Sequence, residues 1–277
     1  MEQRQKAIGV LDSGVGGLTL IKEFNTHLPG ENIVYFGDTA RMPYGPRSPE
    51  QVRGFALEIM DFLCYSQDIK LLIVACNTAT AVGLYQYQQH FPVPVLGVLE
   101  PGVEAAVATT RNGKIGVIGT EGTIASKAYP EAIGQLDENI KVFDKACPLF
   151  VLLVENRLVD TIEAKKIAAS YLEPLAKEDI DTLILGCTHY PLLMDVIAGV
   201  MGSDVTLISS ALHTTLAARE TLEAMDIVNP ASRGWQRYFV SGEAKSFNEI
   251  ATTLLGYELR SYQVRLPALA YPDLQTQ

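Results

Sequence analysis

The chain has 277 residues, enough for one large domain or two of ordinary size. An apolar fraction of 48% and a charged fraction of 19% exclude a disordered or fibrous protein. The net charge of −10 leaves no basic surplus for neutralising phosphates, so a nucleic-acid backbone is not expected as the main partner. No apolar run approaches membrane-spanning length, and the five small or apolar residues between Lys6 and Asp12 are too few for a signal-peptide core. A cytoplasmic protein with no membrane partner is therefore expected, its four cysteines (Cys64, Cys76, Cys147 and Cys187) staying reduced. Their spacing contains no C-x-x-C, and no H-x-x-H accompanies it, so no metal site is expected.

In chain order, residues 7–11 read as a short buried strand. It runs into the glycine-rich turn Asp12-Ser-Gly-Val-Gly-Gly-Leu18 and a helix over about 18–27. Residues 32–36 form the next strand. The loop 37–46 follows, with two prolines and two glycines. Ser48-Pro49 starts a helix whose apolar positions Val52, Phe55, Ala56, Ile59, Met60 and Leu63 recur at helical spacing. Residues 71–75 are an apolar strand ending at Cys76, with a helix after it to about 89. Residues 92–99 read as another strand.

At Lys114 the pattern restarts. Residues 114–123 parallel 7–16, and Thr182-Leu-Ile-Leu-Gly-Cys187-Thr-His-Tyr-Pro191 parallels Leu71-Leu-Ile-Val-Ala-Cys76-Asn-Thr-Ala-Thr80. Ile8 and Ile115 stand 107 positions apart, and Cys76 and Cys187 stand 111 apart. The near-equal offsets indicate a duplicated βα unit. The second copy continues with a strand near 140–143, the apolar run 147–155, a helix over about 161–177 and a strand at 182–186. A helix at 194–201, a strand at 205–208 and helices at 212–225 and 243–255 complete the chain, with a β-like stretch at 238–240 and a proline-containing tail. The expected fold is α/β: two pseudo-symmetric lobes, each a mostly parallel sheet flanked by helices, with the active site in the cleft between them. The first lobe takes residues 1–99 plus 208–277 and the second 100–207.

Each cysteine of the repeat ends a buried strand, where ligands bind in open α/β sheets. A thiolate is a strong nucleophile and a competent base, and a helix N-terminus favours its negative charge. A single buried cysteine is ordinarily core packing. Two repeat-related copies, each followed by short polar residues (Asn77 and Thr78; Thr188 and His189), point to function instead. Two thiols on opposite sides of one carbon suit proton removal from one face and delivery to the other. Asp12 and Ser13 sit at the end of the first strand; Ser13 suits a carboxylate, while Asp12 suits either an ammonium group or a helix cap. Gly14-Val-Gly-Gly17 invites a phosphate reading but completes neither a dinucleotide fingerprint nor a P-loop. Tyr44 and Gly45 lie in a loop able to offer backbone N–H donors, or form a plain turn. Glu155 ends an apolar run, either at a site or as a solvated strand end. Cys64 reads as core, Cys147 as packing near the site, His27 and His90 as loop residues, and His213 as a surface helix residue. Nothing suggests a pyridoxal lysine or a metal, so no cofactor is expected.

These segments resemble the glutamate racemases of the cofactor-independent aspartate/glutamate racemase superfamily. The resemblance is carried by residues 12–18, Gly37-Asp-Thr-Ala-Arg41 with Pro43-Tyr-Gly45, 75–80, Cys147-Pro-Leu-Phe-Val151 and Leu185-Gly-Cys-Thr-His-Tyr-Pro-Leu-Leu193. It runs from about residue 7 to 255. It implies interconversion of L- and D-glutamate for peptidoglycan by a homodimeric enzyme, with Cys76 the base toward D-glutamate and Cys187 the base toward L-glutamate. It assigns substrate contacts to Asp12, Ser13, Tyr44, Gly45, Asn77, Thr78, Thr188 and His189. It gives auxiliary roles to Asp12 and His189, with Glu155 a further candidate. Two stretches depart from the family pattern: Ser209-Ser-Ala211 where Asp-Ser-Gly is usual, and Asn156-Arg157 where a glycine-containing turn is usual. The competing readings are an aspartate racemase or another cysteine-based racemase, a non-catalytic amino-acid-binding or regulatory protein, and a thiol redox protein. The intact cysteine pair disfavours the second, and the lack of a close cysteine pair the third.

Overall fold

The computed structural model describes residues 2–267. Its first sheet has six parallel strands in the order β10-β9-β2-β1-β3-β4. They are β1 (Ala7–Asp12), β2 (Ile33–Gly37), β3 (Ile69–Val74), β4 (Val95–Gly97), β9 (Gln236–Val240) and β10 (Ser261–Gln263). The second sheet has four parallel strands in the order β6-β5-β7-β8: β5 (Lys114–Gly119), β6 (Lys141–Ala146), β7 (Thr182–Gly186) and β8 (Thr206–Ser209). β1, β2, β3 and β7 are buried along their whole length. Unbroken burial is what a parallel strand covered by helices on both faces requires, and it is why these strands read as apolar runs.

Helices join the strands. α1 (Leu18–His27), α2 (Pro49–Asp61), α3 (Asn77–His90), α10 (Ser210–Ala224) and α11 (Ala244–Leu255) include those around the first sheet, while α4 (Leu99–Thr109) packs on β7 and β8 of the second. α5 (Glu121–Ala125), α6 (Ala128–Leu136), α7 (Leu149–Glu155), α8 (Ile162–Ala176) and α9 (Met194–Met201) belong to the second half. α2 begins as its sequence predicts: the Ser48 side chain accepts the Gln51 N–H, Gln51 returns the bond to the Ser48 N–H, and Pro49 holds the first helical position.

Several elements differ from the sequence reading. The strand expected over 92–99 is only Val95–Gly97, and α4 starts at Leu99. Pro101-Gly102, which look like a break, fall in its first turn, where proline is tolerated. The run 147–155 is mostly α7, so Glu155 is the last residue of a helix and not a strand end. His27 and His90 close α1 and α3, and His213 is half-buried. Cys64 is half-buried in a wider helical turn, Phe62–Ser66, that continues α2. Arg157 has φ 59°, the left-handed region that glycine adopts most readily. β10 lies in what reads as a tail. Part of that tail, and the last ten residues of the first lobe's span, lie outside the described residues.

An ion pair is sealed at the opposite end of the first sheet from its cysteine. Lys70 Nζ is 2.6 Å from Glu31 Oε2, with both side chains essentially unexposed. Lys70 also donates to the carbonyls of Arg4 and Ile227, and Glu31 accepts the Asn229 N–H at 2.7 Å. Removing one partner strands the other charge in the interior. Lys70→Met is therefore expected to lower the unfolding free energy by about 3–5 kcal/mol, with Lys70→Met/Glu31→Leu recovering part of it. Urea denaturation checks this, and a single variant as stable as the parent would refute it.

Candidate active site

The C-terminal ends of β1, β3, β5 and β7 bring the polar residues together between the two sheets. One cavity is lined by Ser13, Cys76, Asn77 and Thr78 from the first half and by Thr120, Val151, Cys187, Thr188 and His189 from the second. Met42, Pro43, Tyr44 and Gly45 cover it. The two cysteines, 111 positions apart in sequence, thus face one space, and each is only 5–6% exposed.

Their local settings differ. Cys76 is the extended residue that caps α3, with its carbonyl accepting the Thr80 N–H. Burial is the main reason its thiol is pushed up to about 12, with the Asp12 charge adding to it; the Ala79 N–H and Ser13 hydroxyl act in the opposite sense. Cys187 does not lead directly into an α-helix, as its twin does. Pro191 sits in a 3₁₀ turn over Tyr190–Leu193, and α9 starts only at Met194. The polar neighbour of Cys187 is instead His189, whose Nδ1 is 3.8 Å from the sulfur and whose Nε2 is 2.7 Å from Glu155 Oε1. Burial opposes charge on this ring, but the hydrogen bonds to Cys187 and Glu155 outweigh it and raise His189 to about 10. Glu155 is brought there by the C-terminus of α7.

Asp12 lies behind the cavity wall. Its Oδ2 accepts the N–H groups of Gly14 and Gly17, both at 3.0 Å, and its Oδ1 accepts the Thr188 hydroxyl at 3.3 Å. It therefore organises the turn and reaches the cavity through Thr188. The glycines of that turn serve close packing across the cleft: a Cβ on Gly16 would stand 2.3 Å from Thr188 Oγ1 and 2.6 Å from His189 Nδ1. Tyr44 directs its hydroxyl away from the cavity to Asp38, which also binds Arg41 and Ser241.

Direct bonds tie the two halves around the cavity. The Gly122 N–H donates to Gly45 O at 3.0 Å, and Tyr129 donates to Asn77 Oδ1 at 2.6 Å. The hydroxyls of Thr78, Thr120 and Thr123 form a cluster with separations of 2.8–3.2 Å. Thr120, Thr123 and Asp38 escaped the sequence reading. Thr120 had a usable signal, because the duplication aligns it with Ser13.

The model of the Asp/Glu/Hydantoin racemase family matches residues 8–218. The chain belongs to this family. It is 49% identical over 265 residues to a glutamate racemase of Geobacter metallireducens, covering 95% of this chain and 98% of that one. Among solved structures it is similar to glutamate racemase isoform RacE1 of Bacillus anthracis, with a TM-score of 0.93, 47% identity, and 96% and 100% of the two chains covered. It is also similar to the glutamate racemase of Francisella tularensis in complex with D-glutamate, with a TM-score of 0.90, 34% identity, and again 96% and 100% covered. The two-sheet α/β architecture is thus that of the glutamate racemases in this racemase family. Among the described residues, no three histidine, cysteine or acidic side chains gather as metal ligands. Among the described residues, no lysine lines the cavity. Among the described residues no helix is long and apolar enough to cross a membrane.

Proposed function

We propose that this chain interconverts L- and D-glutamate by a two-base mechanism, and the observation that carries it is the placing of Cys76 and Cys187 on one cavity. With Cys187 as thiolate, the α-proton of L-glutamate passes to sulfur, and the Cys76 thiol delivers a proton to the opposite face. The reverse reaction exchanges the roles. The α-carbon is a very weak acid, so the carbanion depends on fixed donors around the substrate carboxylates. Ser13, Asn77, Thr78 and Thr188 offer side-chain donors, and the Tyr44-Gly45 segment offers backbone. Asp12 acts through Thr188, and the Glu155–His189 pair places a cationic donor beside Cys187. The resting protonation of Cys76 suits it to begin as the acid in the L-to-D direction.

In this reading the first lobe is residues 1–99 with 208–277 and the second is 100–207. α10, packed on both α1 and α4, lies along the divide. A cytoplasmic homodimer that supplies D-glutamate for peptidoglycan is the setting consistent with the relatives. Glutamate is favoured over aspartate because the relatives of highest similarity named above are glutamate racemases. Circular dichroism with each pure enantiomer tests the assignment. Both glutamate enantiomers are expected to decay to the racemate without added cofactor. Aspartate, one methylene shorter, is expected to have a kcat/KM lower by at least about tenfold. Preference for aspartate would move the chain to the other branch of the family, and inertness toward both would favour a binding protein.

A further inference from the structure

A second, smaller chamber adjoins the cavity. Asn77, Cys187 and Thr188 line both spaces, while Thr19, Ser209 and Ser210 line only the rear one. The chamber is narrow, on the scale of a single bound water. Thr19 and Ser209 are only partly buried, and none of the cover residues 42–45 lines it.

Leu20, Ala75, Val98, Leu185, Pro191 and Ala211 give the chamber an apolar side, and its polar side is unfinished. The Ser210 hydroxyl is 6% exposed and completes no hydrogen bond with a described residue. It lies beside the Tyr129 phenol, which gives its own proton to Asn77 and can accept from Ser210. Small polar chambers meet such needs by holding water.

We propose that this rear chamber holds a water that exchanges protons with Cys187, giving that thiol a route to solvent separate from the substrate cavity. The inference rests on the two-thiol reading. A turnover from L to D leaves a proton on Cys187 and a thiolate at Cys76. Before the next L substrate, the Cys187 S–H bond breaks and its proton passes to water, while the Cys76 thiolate takes a proton from water. No net proton is consumed and nothing is oxidised or reduced. Cys76 meets water through the front cavity as it empties; Cys187 has the rear chamber as well.

Ser210→Val removes the hydroxyl and fills the chamber with methyl groups. In the parent, racemisation rates near equilibrium are expected to level off as total glutamate rises. In Ser210→Val the reset becomes limiting, and the rate at high total glutamate is expected to fall at least about threefold below its own maximum, with kcat/KM nearly unchanged. A change in packing alone would not produce that decline. A folded Ser210→Val enzyme that saturates like the parent overturns the proposal. Ser210 packs closely on Gly102, where a Cβ would meet Ser210 Oγ at 2.7 Å, so thermal unfolding accompanies the assay. A high-resolution crystal structure of the unliganded parent gives a second test that needs no variant. A water within hydrogen-bonding reach of both Ser210 Oγ and Cys187 Sγ is expected, and a dry chamber overturns the proposal. If the parent itself fails to racemise glutamate, the assignment of the front cavity fails instead.

Discussion

Cys76→Ser and Cys187→Ser are each expected to lower kcat/KM for glutamate racemisation by at least about 10³-fold, near the upper end of what positioned acid–base groups contribute. A serine hydroxyl is close in size to a thiol, so the packing around these 5–6% exposed positions is preserved and folding is unaffected. What is lost is a group able to hold the negative charge between its two tasks. The enantiomers have equal free energy, so kcat/KM must fall by the same factor in both directions, whichever sulfur is removed. The two sulfurs act as a unit, so the double variant is expected to be little slower than either single one. Circular dichroism from each enantiomer, alongside deuterium exchange at the α-carbon, measures this. Single variants that racemise at the parent rate would rule out the mechanism.

The second large effect concerns the far side of the cavity. His189→Asn is expected to reduce kcat/KM about 10²-fold, and Glu155→Gln about tenfold. Glu155 does not line the cavity and is a positioning residue, acting through the 2.7 Å bond to the ring. Its distinguishing readout is pH. Burial disfavours the His189 cation, and the bonds to Cys187 and Glu155 reverse that, so the ring keeps its proton to about pH 10. Glu155→Gln removes one of the two supports, and the alkaline limb of the activity profile is expected to move to lower pH. The stability effect has a definite sign. A histidine value raised from 6.5 to about 10 in the folded state contributes stability that is full below about pH 6.5 and disappears as pH rises through 10. Glu155→Gln should therefore cost more stability at pH 6 than at pH 10.5, as urea denaturation at the two pH values would show. An unshifted alkaline limb would make Glu155 a mere packing residue.

The parts of the site that were legible in the sequence were those built by local rules. Cys76 and Cys187 stand out because an apolar strand must end in a turn, and the duplication repeats that end. Glu155 was hard to see because α7 has only seven residues. That is too short for a helical period to show, and its Val and Leu content mimics a buried strand. α4 was hidden by Pro101-Gly102. Gly102 is explained only by a distant residue, Ser210, packed against it. Asp38 was hard to see because Ser241, which bonds its second oxygen, reaches it only when β2 and β9 pair.

By itself, the sequence determined the alternation of strands and helices, the duplication, and the two thiols with their polar followers. Those features depend on backbone propensity and on burial patterns that repeat within a few residues. Only the tertiary structure decided that Asp12 accepts the Thr188 hydroxyl, that His189 is bonded to Glu155, and that hydroxyls from both halves close around the cavity. These depend on how one sheet is set against the other. That arrangement comes from contacts between residues tens to hundreds of positions apart, which no local window of the chain contains.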